Sequence, residues 1–166
     1  AEVPKLVETC TRLKTGALMG LAAVIPAIAA GASARVVSAL YDFGEQLGIG
    51  LQMLDDLSGL VSERRSAKGH EDLILGRPTW PWAWLATDLG PDEYASLQRL
   101  ARDVEGGACH PGLLAQEIRD SLGPLSRRRI EAHFAAAKRG LLRDVPGPTG
   151  LQELERELRK LMGSYA

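Results

Sequence analysis

The run YDFGEQLGIGLQMLDDLSGL, residues 41–60, constrains this chain more than any other segment. Its apolar residues recur at helical spacing, yet it holds glycines at 44, 48, 50 and 59. Each glycine costs roughly 1 kcal/mol against alanine in a helix interior. Positions 44, 48, 52, 55 and 59 step by four, four, three and four, so they share one helix face. That face reads Gly, Gly, Gln, Asp, Gly, small and polar on a helix that is apolar elsewhere. A cavity or a closely packed neighbour would explain the glycines.

Asp55 and Asp56 stand together in this apolar run. Adjacent carboxylates repel, burial without a partner is costly, and the carboxyl end of a helix disfavours negative charge. A divalent cation would offset all three penalties, and magnesium takes one or two carboxylates together with substrate phosphates. An exposed acidic pair near a helix end accounts for the same residues, and spacing alone leaves both readings open.

Elsewhere no apolar–polar alternation is sustained, so no strand is expected. The pattern predicts a first helix from Pro4 to Ala30 bent at Pro26, a turn at Gly31–Ser33 with Ser33 as cap, and a second helix from Ala34 to Ser62. Glu63–Glu71, with Glu63, Arg64, Arg65, Lys68 and Glu71, reads as a mobile loop. Further helices are expected from Thr79, over Pro91–Val104, Pro111–Ser121 and Pro124–Leu142, and over Thr149–Met162, with proline at helix starts where its missing N–H does no harm. Leu151, Leu154, Leu158 and Leu161 form a stripe expected to face the core.

The 166 residues suit a single all-α domain, a helical bundle. A formal net charge of −1 gives no footprint for nucleic acid. The two cysteines, Cys10 and Cys109, have no metal-ligand spacing, and with no secretory signal evident a reducing cytoplasm is expected. Thr15–Ala34 is 20 residues without a charge, but rich in alanine and glycine, which contribute little transfer energy to lipid. A buried core helix is expected there, not a membrane span.

Two further segments carry cations. KGHEDLILGRPTWP, residues 68–81, contains Lys68, His70 and Arg77 between flexible glycines. Cations beside a carboxylate pair suit a diphosphate held partly by magnesium and partly by lysine or arginine. Lys14, followed by Thr15, opens the uncharged stretch, where a lysine that simply snorkels to water is an equal reading.

Together these residues resemble the trans-isoprenyl diphosphate synthases. That family carries a KT dipeptide, a helix ending in FQxxDDxxD and a loop GKxxxxDLxxGKxTLP. KTGAL (residues 14–18), GLQMLDDLSG (50–59) and KGHEDLILGRPTWP (68–81) follow in the same order. The likeness covers the family's carboxyl-terminal half, a partial bundle of the isoprenoid synthase type. It implies that Asp55 and Asp56 bind Mg2+ with the substrate, that Lys14, Lys68 and Arg77 contact the diphosphate, and that Thr15 and Gln52 lie near the reacting carbons. His70 and Asp72 fall beside the same motif. Lys68 is offset by about one residue from the family's lysine.

The implied chemistry is condensation of isopentenyl diphosphate with an allylic prenyl diphosphate. The last aspartate of DDxxD is Gly59 here, the Phe of FQ is Leu51, and TLP is Thr79-Trp80-Pro81. The family's first aspartate-rich motif has no counterpart before Lys14. A working prenyltransferase therefore needs that motif from elsewhere, in a cleaved or unobserved part of the same chain, a second helical chain or a homo-oligomer. The alternatives are a non-catalytic regulatory subunit of such a synthase and a class I terpene cyclase-like enzyme. A half-bundle is expected to leave apolar surface bare around Gly44 and Gly48.

Overall fold

The computed structural model describes residues 2–145 and 151–164. Among them there is helix and no strand, as the periodicity requires. The order is α1 (Glu2–Thr11), a π-helical turn (Arg12–Gly16), α2 (Ala17–Ala29), α3 (Ala34–Val61), a 3-10 turn (Glu63–Arg65), α4 (Ser66–Ile74), α5 (Trp80–Asp88), α6 (Pro91–Glu105), α7 (Pro111–Leu122), α8 (Leu125–Asp144) and α9 (Leu151–Ser164). The expected start near Thr149 lies outside the described residues.

The first helix departs from expectation in one informative way. Helix continues past Pro26 to Ala29 as expected, but a π-helical turn interrupts it at Arg12–Gly16. Its buried positions are Val7, Thr11, Gly16, Gly20 and Val24. The single step of five, from Thr11 to Gly16, falls on the π turn. An unbroken α-helix would put Thr15 on the packed face. The inserted residue puts Gly16 there instead, and such insertions gather at functional sites.

The chain forms two compact units, with boundaries inside α1 and inside α3. In the unit of residues 8–54, 128–145 and 151–164, glycine decides the packing. A β-carbon on Gly44 would lie 2.6 Å from the Met19 carbonyl oxygen, and one on Gly48 would lie 2.7 Å from that of Thr15. These glycines are therefore the floor on which α2 lies, with Gly16 and Gly20 facing them. On another side, Gly50 makes room for the Phe134 ring. Ala39 and Phe43 of α3 meet Ala137 and Leu141 of α8, with Leu40, Leu47, Val145 and Leu154 around them. Of the α9 leucines, Leu154 joins this cluster while Leu161 is exposed.

This overturns the expected bare surface at Gly44 and Gly48. The apolar surface lies on the first helix instead. Leu13, Leu18, Leu21, Ile25 and Ile28 are each more than half exposed. Only 17% of that helix's most apolar window is buried, so the expected buried core helix is not found. By length and composition alone, Glu2–Ala29 passes as a candidate membrane span. The physical reason is that small residues, not the large ones, face α3, because close backbone approach needs them.

In the unit of residues 2–7 and 55–127, α4, α5 and α6 each pack on α7. Leu114 and Ile118 of α7 are fully buried, with Leu85, Leu73, Leu97 and Val104 also in the core. The expected mobile loop Glu63–Glu71 is instead the 3-10 turn and the first part of α4. Gly69 explains the difference: it sits against the Gly59 backbone, so this polar segment is docked as helix. The last turn of α3 is capped from α7, where Arg119 Nη1 donates to the Leu60 carbonyl at 2.6 Å. That bond satisfies an otherwise orphaned helix-end carbonyl.

Candidate functional site

Within residues 8–54, the π turn presents Lys14 at the surface and leaves Thr15 half buried. Thr15 Oγ1 donates to Gln52 Oε1 at 3.1 Å. The structure thus joins two residues that the sequence comparison placed near the reacting carbons, 37 positions apart. The close packing of Gly48 beneath Thr15 makes this reach possible.

Within residues 55–127, Asp55 is the centre of a charge cluster. Its Oδ1 accepts from Arg65 Nη1 at 2.7 Å, and its Oδ2 accepts from Lys68 Nζ. The Asp55 side chain is 22% exposed, against 36% for Arg65 and 53% for Lys68. The hydrogen bond to Asp55 holds the Lys68 ammonium above its ordinary pKa. Burial opposes this, and the charges of Asp55, Asp72 and Asp56 add to it. Ser58, buried on the next turn, donates to the Asp55 carbonyl at 2.8 Å.

Asp56 has a different duty from its neighbour. Its Oδ2 accepts the Trp80 backbone N–H at 2.9 Å, at the first residue of α5. It therefore caps that helix from another element, where the Thr79 side chain makes no cap bond. Neither carboxylate points into open solvent. Arg77, expected on the diphosphate, has Nη1 on Asp72 at 2.7 Å and Nη2 on Glu71 at 3.1 Å. The His70 ring meets His110 edge-on, with centroids 5.7 Å apart.

Arg65 and Ser58 are the members of this cluster that the sequence reading missed. Arg65 lies ten residues beyond Asp55, past the end of α3, so no helical periodicity links them. His110 was also missed. Its Nδ1 accepts the Gly112 N–H at 3.1 Å as the cap of α7.

Magnesium requires hard oxygen donors, and Asp55 and Asp56 supply them. Among the described residues no group of three or more His, Cys, Asp or Glu side chains is arranged to hold a metal. The described donors form no cage of their own, and an ion held by Asp55 and Asp56 would have to complete its shell with phosphate oxygens and water.

A family model described as polyprenyl synthetase matches residues 5–106, more than half of the chain. Among curated proteins, the chain is 36% identical to the mitochondrial hexaprenyl pyrophosphate synthase of Saccharomyces cerevisiae over 123 residues, 66% of this chain and 26% of that protein. It is 38% identical to the geranylgeranyl pyrophosphate synthase of Geoglobus acetivorans over 41% of this chain and 22% of that one. It is 37% identical to the geranylfarnesyl diphosphate synthase of Aeropyrum pernix over 52% of this chain and 28% of that one. The chain thus spans about a quarter of the length of these relatives. No solved structure gives a significant match. The three motifs in order, the all-α fold that carries them and the match over residues 5–106 agree: this chain belongs to the polyprenyl synthetase family.

Proposed function

We propose that this chain supplies the second aspartate-rich segment of a magnesium-dependent prenyl diphosphate synthase. The first lies outside these residues, in another part of the same polypeptide or in a second helical chain. The observation that carries this reading is the Asp55 carboxylate, three-quarters buried and bracketed by Lys68 and Arg65. Asp55 faces two cations, and the half-exposed Lys68 ammonium could also pair with an anionic ligand.

Asp55, backed by Asp56, would hold Mg2+, which when bound neutralises charge on the departing diphosphate. Lys68 would leave Asp55 for the more highly charged diphosphate. Lys14 and Arg77 would add positive charge, Arg77 by exchanging Asp72 or Glu71 for phosphate oxygen. Thr15 and Gln52, locked to one another, would wall the allylic carbons with apolar helix surface that keeps water from the carbocation. The allylic C–O bond breaks with its electrons leaving on diphosphate. The double bond of isopentenyl diphosphate then attacks the cation, and loss of a proton from the condensed cation restores an alkene.

The need for a partner is supported by the exposed stripe from Leu13 to Ile28. Monomers rarely leave large apolar patches bare. A non-catalytic regulatory subunit is the second reading, favoured by Gly59 where the motif has its third carboxylate.

The test is intact mass of the purified chain with its copurifying partner, followed by assay with isopentenyl and allylic diphosphates and Mg2+. Elongated linear diphosphates, lost by about a hundredfold or more in Asp55→Ala, are expected. Unchanged turnover in Asp55→Ala would assign the chain to the regulatory reading.

A further inference from the structure

Two cations share the Asp55 carboxylate, but they are held differently. Lys68 sits on α4 at the end of a flexible, strongly hydrated stem and is half exposed. Arg65 sits on the 3-10 turn, less exposed, and its Nη1 bonds Asp55 Oδ1 at 2.7 Å and Ser58 Oγ at 3.3 Å. The Ser58 hydroxyl spends its own proton on the Asp55 carbonyl at 2.8 Å, so its lone pairs face the guanidinium. Asp55 side chain, Arg65, Ser58 and Asp55 backbone thus close a ring of three hydrogen bonds. Ser58 is 1% exposed, so the ring is anchored in the core. The Gly59–Gly69 contact brings α4, which begins at Ser66, right against this end of α3.

We propose that Arg65 is a positioning residue for Asp55, clamping one carboxylate oxygen so that the other stays presented when Lys68 turns to the diphosphate. This rests on the function proposed above. Once Lys68 departs, Asp55 stands beside Asp56 with like charge, and Arg65 is the counter-ion that remains. A neutral residue there would let the carboxylate rotate away from its working orientation. The guanidinium acts through Asp55 and does not itself bind phosphate.

The experiment is calorimetric titration of inorganic pyrophosphate into the full chain, with Mg2+ and with a chelator in its place. It compares wild type, Arg65→Gln, Arg65→Lys and Lys68→Gln, with folding checked by circular dichroism. Arg65→Gln should weaken binding about tenfold or more in Mg2+ and leave the metal-free affinity unchanged, because supporting residues act through the ligand they orient. Arg65→Lys should recover part of the loss, and Lys68→Gln should weaken binding in both conditions. If wild type binds with Mg2+ and Arg65→Gln matches it, or loses equally in both conditions, the positioning role falls while the proposed function stands. If wild type shows no pyrophosphate binding with Mg2+, both fall.

Discussion

Gly59 and Gly69 touch backbone to backbone: a β-carbon on Gly59 would lie 3.1 Å from the Gly69 Cα, and one on Gly69 would overlap the Gly59 carbonyl. The position where the family motif places its third aspartate is therefore occupied by a close backbone contact between α3 and α4. Gly59 reads as a packing solution, not simply as a lost ligand.

It follows that restoring the motif should do harm. Gly59→Asp is expected to destabilise the chain by about 1–3 kcal/mol, as overpacking does. Gly69→Ala should cost at least as much, although alanine is the better helix former by about 1 kcal/mol. Urea melts of both variants check this, and a Gly59→Asp protein as stable as wild type would contradict the contact.

Asp56 should be separable from Asp55. Removing the cap that its carboxylate gives Trp80 in Asp56→Ala should cost about 1 kcal/mol of stability. Asp55→Ala, which breaks two partly exposed ion pairs, to Arg65 and to Lys68, should cost under about 1 kcal/mol. Thermal melts should rank Asp56→Ala as the less stable of the two.

The floor beneath α2 tolerates no side chain. Gly48→Val should drive the Thr15 backbone away and break its bond to Gln52, with a loss of about 2 kcal/mol or more. Hydrogen exchange should then speed up in residues 12–24 before the rest of the chain.

The apolar stripe makes the opposite prediction. Leu18→Gln, Leu21→Gln and Ile25→Gln replace side chains that are more than half exposed, so each should change stability by less than about 0.5 kcal/mol. Sedimentation with the copurifying partner should show association lost in the triple variant. Retained association would move the interface elsewhere, and loss of vesicle binding instead would point to lipid.

The Lys68 pair has a definite pH sign. Its pKa is raised in the folded chain by the bond to Asp55. The contribution to stability is therefore complete below the ordinary lysine value and is lost as pH rises through the raised one. The stability difference between wild type and Lys68→Met should stay level from pH 6 to about 9 and shrink only in stronger alkali. A difference that vanished near neutrality would mean that Asp55 does not hold Lys68.

The sequence by itself determined most of the helices and most of their ends, because apolar spacing, proline at helix starts and Ser33 act within a few residues. It also marked Asp55 and Gln52, because unusual residue types in an apolar helix are visible in one dimension, while Thr15 came from the resemblance of its motif. What only the tertiary structure decided was which neighbour each glycine admits, and therefore which face stays bare. Gly44 and Gly48 suited either a cavity or a closely packed neighbour by sequence, and proved to be the seat of α2. The segment after α3 looked mobile by composition and became helix once Gly69 met Gly59 and Asp55 took Lys68 and Arg65. Packing of this kind depends on residues brought together across the fold, and no local pattern of charge or hydropathy encodes it.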